Sequence, residues 1–200
     1  AIIAVHLFGL CADIDSIKKL APNVSIIEDA ACAVGSIYKN KFAGSIGDIG
    51  CFSFHPRKSI TTGEGGMITT NNTTLASLMI KLRNHGAEIS EDQRHHGPKP
   101  YLLPDFNLLG YNYRMTDLQG AVGVVQLSKL NKLITERQKW AEFYTRELRD
   151  VKWIITPKTP DNCKHSWQSY VTIVNEELSP GTRNEIMEKL QKNGISTRPG

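Results

Sequence analysis

No stretch of this 200-residue chain approaches the run of about eighteen apolar residues that a membrane-spanning helix needs. The apolar start AIIAVHLFGL has neither a basic leader nor a small-residue cleavage site, so it reads as a strand and no membrane association is expected. No block of five or six like charges occurs either. Lys and Arg number 24 against 20 Asp and Glu, and a net charge of +4 spread along the chain gives no footprint for nucleic acid. Cysteine is scarce and unpatterned: Cys11, Cys32, Cys51 and Cys163 form no C-x-x-C pair. They are expected as free thiols, three of them in the core, in a reducing, cytoplasmic setting. What is present, 40% hydrophobic and 22% charged residues, suits a globular chain of one domain or one and a fraction. The chain has no initiator Met and stops just after what reads as a strand, so both ends are expected to be truncated.

Apolar, β-branched runs at 2–7, 24–27, 49–54 and 67–70 alternate with helical patterns, which predicts an α/β fold with a sheet covered on both faces. A short helix at 15–20 is expected to take Asp15 as its cap and to stop before Pro22. Asn72 is placed to cap a second helix, 73–84, whose Leu75, Leu78, Met79 and Leu82 form a stripe expected to face the sheet. Residues 87–112, with Pro98, Pro100 and Pro104, read as a long irregular connection able to reach another subunit. Thr116-Asp117-Leu118-Gln119 is a capping box that opens a long helical stretch, in which Gly120 and Gly123 allow close approach of another helix. From about Val151 the pattern turns to short strands, followed by a helix that Thr182 and Glu185 cap and that ends at Asn193-Gly194.

Two polar groups stand where α/β proteins bind ligands, at the carboxyl ends of strands. One is Glu28-Asp29; the other is Ser53-Phe54-His55-Pro56-Arg57-Lys58, followed by Gly63-Glu64-Gly65-Gly66. A carboxylate on one strand end and a lysine after its neighbour can hold opposite sides of a planar, charged cofactor. Pyridoxal phosphate makes matching demands: an amine for a Schiff base, an anion for its ring nitrogen and donors for its phosphate. Lys58, Asp29 and Ser53 are chemically suited to these roles. Each also has an ordinary reading, since a lone Lys is mostly a solvated surface residue, a strand-end Asp mostly a cap, and a strand Ser mostly bonded to backbone. The glycine run lacks the GK[ST] of a P-loop and reads as a tight lead-in to a strand. His95-His96 has no third ligand at a usable spacing, so no metal is expected. Trp153, Trp167 and Tyr170 read as core of the C-terminal part.

The strings EDAACAVGS, GDIGCFSFHPRKSITTGEGGMITT, NHG and GYNYRMTDLQGAVGVVQLSKL, in that order, closely resemble the DegT/DnrJ/EryC1/StrS family of pyridoxal-phosphate-dependent sugar aminotransferases. The resemblance implies an α/β, fold-type I, aspartate-aminotransferase-like architecture. Residues 1–135 would be the C-terminal part of the large cofactor-binding domain, and 136–200 the start of a small α+β domain. Position by position, it implies that Lys58 carries the cofactor as an imine, Asp29 pairs with the ring nitrogen, and Ser53 binds the phosphate. Asn112 would reach the phosphate of the partner subunit's cofactor, which implies a homodimer with shared active sites. Cys32 stands where many members have a Gln near the ring, and a thiol cannot supply the same amide hydrogen bonds. His55 stands where the family varies, near phosphate or substrate. The implied substrates are a nucleotide-linked keto sugar and an amino donor, commonly glutamate. Rival readings are a sugar dehydrase of the same family, which has a histidine in place of the lysine, a non-catalytic cofactor-binding regulator, and a plain α/β interaction domain.

Overall fold

The structure is a computed structural model that describes residues 1–199. Its centre is a four-stranded sheet in the order β1 (Ile2–Val5), β2 (Ile26–Asp29), β5 (Ile49–Ser53), β6 (Gly66–Thr69). The first three strands are parallel and β6 returns antiparallel to β5. A turn of 3-10 helix at Leu7–Gly9 and α1 (Ile14–Leu20) connect β1 to β2. Between β2 and β5 lies the hairpin of β3 (Ile37–Tyr38) and β4 (Lys41–Phe42), which is extended by β8 (Cys163–Lys164) from the far end of the chain.

Register places Ala4, Glu28, Gly50 and Thr69 in one row across the sheet and Val5, Asp29, Cys51 and Ile68 in the next. Side chains alternate along a strand, so the two rows point to opposite faces. The first face is covered: Ala4, Ile26 and Glu28 are buried there with Ile14 of α1 and with Ala43 and Ile46 of the loop after β4. The second is open among the described residues, with Ile3 65% and Val5 48% exposed. This corrects the expectation of a sheet covered on both faces. A β-branched run shows that a strand is apolar, not that the same chain covers both its sides.

Helix α2 (Thr73–Leu82) starts at Asn72, whose side chain accepts from the amides of Thr74 and Leu75. Its stripe does not reach the core; Leu78 is exposed and no residue of the helix is buried. Helix α1 is capped by Asp13, which accepts from Ser16, rather than by Asp15, which lies in the first turn and pairs with Lys39 at 2.6 Å. The connection 87–112 contains a short helix, α3 (Glu91–His95), opened by a Ser90–Gln93 capping box. Its His95 and His96 are exposed, and no group of metal ligands occurs among the described residues.

The capping box at Thr116 and Gln119 opens α4 (Asp117–Ser128), and α5 (Leu130–Glu147) follows after a one-residue break. The expected boundary at 135/136 falls inside α5. Gly120 faces open space and Gly123 the Thr62 side chain, so among the described residues no helix packs against either. Beyond α5 are the pair β7 (Ile154–Ile155) and β9 (Ile173–Val174), then α6 (Arg183–Lys192) with its Thr182–Glu185 box and Gly194 at positive φ. All four cysteines are free, but only Cys11 is buried and the other three are half-buried, which corrects the expectation of three in the core; burial pushes the Cys11 thiol up to about 12. No helix among the described residues is long and apolar enough to cross a membrane.

Candidate functional site

The candidate site is built at the carboxyl ends of β2 and β5. Asp29 closes β2 on the open face, and its Oδ1 accepts from the Ala31 amide at 3.1 Å. The other oxygen, Oδ2, accepts no hydrogen bond from the described residues. Cys51 is opposite Asp29 in the ladder, and burial followed by the Asp29 carboxylate pushes its thiol up. Ser53 closes β5 two residues further on, so it shares the face of Asp29 and Cys51. Its Oγ accepts a long bond from the His55 amide at 3.4 Å.

After Ser53 the chain forms a loop, 54–65, that carries the lysine. The Phe54 amide donates to Gly65, while the Phe54 carbonyl accepts from Thr62 N and from the Thr61 hydroxyl. Helix α4 fastens the outer end, because Gln126 accepts from the Thr61 amide and Gln119 donates to the Glu64 carbonyl. Gly65, at φ +143, needs its missing side chain to make the turn into β6. Within this frame the Lys58 amide bonds His55 O at 2.9 Å, and Lys58 Nζ donates to Cys32 Sγ at 3.2 Å. Cys32 lies three residues beyond Asp29. The lysine therefore crosses from the end of β5 to the end of β2, and both side chains are half-buried.

His55 lies at the loop's base, with Nδ1 accepting from the Arg57 amide and Nε2 3.9 Å from Glu64 Oε1. Asn112 belongs to a different segment, bridged antiparallel to Asn84, and its exposed side chain bonds nothing among the described residues. Arg114 next to it donates to Asn84 Oδ1 at 2.5 Å. The structure thus brings Asp29, Cys32, Ser53, His55 and Lys58 to one end of the sheet. It leaves Asn112 on the separate, exposed strand-like segment.

Two further groups support the site: Glu28, which the sequence set beside Asp29 in the candidate pair, and Gln168, which sequence reasoning did not single out. Beneath Asp29, on the covered face, Glu28 is fully buried. It accepts from His6 Nε2 at 2.7 Å and from the amides of Gly44, Ile46 and Gly47 at 2.8, 2.7 and 2.6 Å. Burial pushes the Glu28 carboxyl up, but the His6 ring and the three amides outweigh it and hold the group below the usual carboxylate value. His6 Nδ1 accepts from the Ala12 amide at 3.0 Å, so the ring's one proton sits on Nε2 and is given to Glu28. The second group is Gln168, which bonds both residues that adjoin Lys58. The adjacency Glu28-Asp29 is a visible signal for the first; a polar residue 110 positions from the lysine gives none for the second.

Residues 1–199 match the DegT/DnrJ/EryC1/StrS aminotransferase family. The chain belongs to this family. It is 38% identical over 202 residues to the GDP-perosamine synthase of Caulobacter vibrioides, covering 100% of this chain and 51% of that protein. Among solved structures it is similar to the aminotransferase from Psychrobacter cryohalolentis, with a TM-score of 0.87 and 29% identity over 97% of this chain and 52% of that one. It is also similar to the Escherichia coli GDP-4-keto-6-deoxy-D-mannose-3-dehydratase with bound hydrated PLP, with a TM-score of 0.85 and 28% identity over 98% of this chain and 52% of that one. The family member in hand therefore spans about half the length of these relatives. Its parallel strands, with the lysine loop after β5, have the α/β architecture of fold-type I pyridoxal-phosphate-dependent aminotransferases.

Proposed function

We propose that this chain forms the cofactor-holding part of an aminotransferase that takes an amino group from an amino acid such as glutamate and delivers it to a keto group of a nucleotide-linked sugar. The observation that carries the reading is the Lys58–Cys32 contact at 3.2 Å, which brings a primary amine to the end of the strand that terminates in Asp29. The donor set suits pyridoxal phosphate: a half-buried amine, a carboxylate with one oxygen unengaged among the described residues, and a strand-end hydroxyl on the same face. When bound, pyridoxal phosphate supplies an aldehyde that condenses with a primary amine and a protonated ring that draws electrons from the adjacent carbon.

Lys58 would hold the group through Nζ, and the same amine is placed to accept and return a proton at Nζ. Asp29 would keep a proton on the ring nitrogen, and the Ser53 hydroxyl would donate to the phosphate. Cys32 packs beside the amine, and His55 stiffens the loop through the Arg57 amide. Residues 1–135 act here as part of the cofactor domain and 136–200 as part of a smaller one, in the reducing cytoplasm that free thiols suit. A second copy of the chain supplies Asn112 to this site. Exposed apolar residues along 101–127, Leu103, Leu109 and Leu118 among them, are the surface such a copy would cover. The named activity of the Caulobacter relative supports a nucleotide-sugar acceptor. The likeness to the Escherichia coli dehydratase makes that enzyme class the rival, and Lys58 favours the aminotransferase.

The test is the visible spectrum of the full-length protein with pyridoxal phosphate, before and after borohydride reduction, beside Lys58→Ala. A band trapped on the Lys58 peptide, absent in the variant, bleached by glutamate and restored by a nucleotide-linked keto sugar is the expected result. A trapped band without amino transfer moves the reading to the non-catalytic regulator. Folded protein with no band rejects the cofactor.

A further inference from the structure

Gln168 lies just beyond β8, yet its amide spans the residues on either side of Lys58. Its Oε1 accepts from the Ser59 hydroxyl at 3.1 Å, and its Nε2 donates to the Arg57 carbonyl at 2.5 Å. A carbonyl can only accept, which fixes the amide's orientation and makes Ser59 the donor to the other end. Among the described residues, no other side chain from outside loop 54–65 bonds Arg57 or Ser59.

The segment that presents Gln168 is held under strain. Trp167 sits at φ +54, in the left-handed region that bulky residues avoid, and such strain persists only where the surroundings impose it. Here they do so from three sides. The Trp167 ring stacks on His165 at 3.8 Å between centroids and on Tyr170 at 5.5 Å. Arg137 of α5 donates to the carbonyls of Trp167 and Gln168 at 3.0 and 3.2 Å, and Gln138 donates to the His165 carbonyl at 3.1 Å. The amides of Ser166 and Ser169 reach Gly9 O and Phe8 O in the turn after β1. Without Gln168 the strained turn would aim at nothing; with it, the turn delivers one amide to the backbone on both sides of the lysine.

From this geometry we propose that Gln168 is a positioning residue for Lys58, a clasp that holds the lysine's flanking backbone so that Nζ stays directed at the end of β2. The inference rests on the reading of Lys58 as the functional amine. A consequence is that the segment 165–169 and the lysine loop move as one unit, so displacement of the C-terminal part is felt at Nζ.

The test uses the full-length protein without cofactor and two readouts: amide hydrogen exchange over 54–62, and the rate of Lys58 acetylation by trace acetic anhydride at one fixed pH, relative to the exposed Lys129. In Gln168→Met, which keeps the length and removes both bonds, exchange in 54–62 rises about tenfold while α2 is unchanged. In that variant the Lys58 labelling rate also rises toward that of Lys129. Gln168→Glu keeps an acceptor for Ser59 and is expected to fall between. A residue that merely stabilised the fold would loosen α2 as well and leave the Lys58 rate relative to Lys129 in place. Unchanged exchange and labelling in Gln168→Met overturn the proposal. If that variant does not fold, Ser59→Ala removes one arm from the loop itself, with about threefold faster exchange expected and no change overturning the clasp. Because no cofactor is present, a protein that fails to form the reducible band loses the proposed function while this measurement still decides the clasp.

Discussion

Glu28 and Asp29 are consecutive carboxylates on one strand, and the sheet sends them to opposite fates. Glu28 points into the covered face, where a ring nitrogen and three amides surround its two oxygens. Asp29 points to the open face, where one amide meets one oxygen. A carboxylate buried among four donors is a structural rivet, because its partners would otherwise be stranded without water. One that keeps an oxygen unengaged at a strand end retains bonding capacity for something else. The lesson is that chemistry is available where the fold leaves valence unspent, and the two faces of β2 divide these roles between adjacent residues.

The sharpest way to break the comparison is to truncate each carboxylate. Glu28→Ala leaves three amides and the His6 N–H without an acceptor in the covered face and is expected to cost about 4 kcal/mol of stability. Asp29→Ala loses one partly exposed bond and is expected to cost about 1 kcal/mol or less, while weakening capture of pyridoxal phosphate. Denaturant unfolding of both variants, with a cofactor titration, checks the pair. Equal stability losses would erase the division between the faces.

A smaller effect, about 3 kcal/mol, is expected from pH, and it separates two kinds of buried group. Burial lowers His165 from 6.5 to about 4, outweighing the Gly9 backbone bond that acts in the opposite direction. The unfolded chain therefore binds a proton there before the folded one does. That contribution is whole above pH 6.5 and is lost as the pH falls to about 4. Glu28 acts in a different window. Its folded carboxyl lies below the ordinary value, so its contribution is full above about 4.3, the unfolded glutamate pKa, and drains as the pH falls through the lower folded value. Stability measured against pH should thus descend in two legs. His165→Asn, which keeps an acceptor for the Trp167 amide, flattens the first leg alone, and Glu28→Gln the second. Loss of both legs in either variant would mean that the two groups are coupled.

How much of this was legible beforehand follows the range of the interaction. The caps at Asn72, Thr116 and Thr182 were readable because donor and acceptor lie within three residues. By the same logic the Ser90–Gln93 box was there to be read inside the long connection. The α1 cap was misassigned because two aspartates, two residues apart, offer the same side chain, and the choice depends on where the backbone leaves the helix. Alternation along β2 shows that Glu28 and Asp29 face opposite ways, but which face is covered depends on α1 and the loop after β4. The lysine, the strand-end aspartate and the serine were recognisable as a motif. The clasp was not, since Gln168 meets Arg57 and Ser59 only through the pairing of β8 with β3 and the strained turn at Trp167.

Cys32 offers the finest probe of the open face, because it is the one partner of Lys58 Nζ among the described residues. A thiol is a weak acceptor, so little stability rests on the contact, and Cys32→Ala is expected to change unfolding free energy by about 0.5 kcal/mol. The effect should instead be felt by the lysine. Cys32→Gln offers an amide oxygen in place of sulfur, a stronger acceptor that holds the amine more firmly, whereas Cys32→Ala frees it to water. Acetylation of Lys58 in the cofactor-free protein should accordingly rise in the order Gln, Cys, Ala, with about threefold between successive members. If the three proteins label alike, the sulfur is packing and nothing more. The direction of Nζ would then be owed to the backbone that Gln168 holds rather than to any partner at the end of β2.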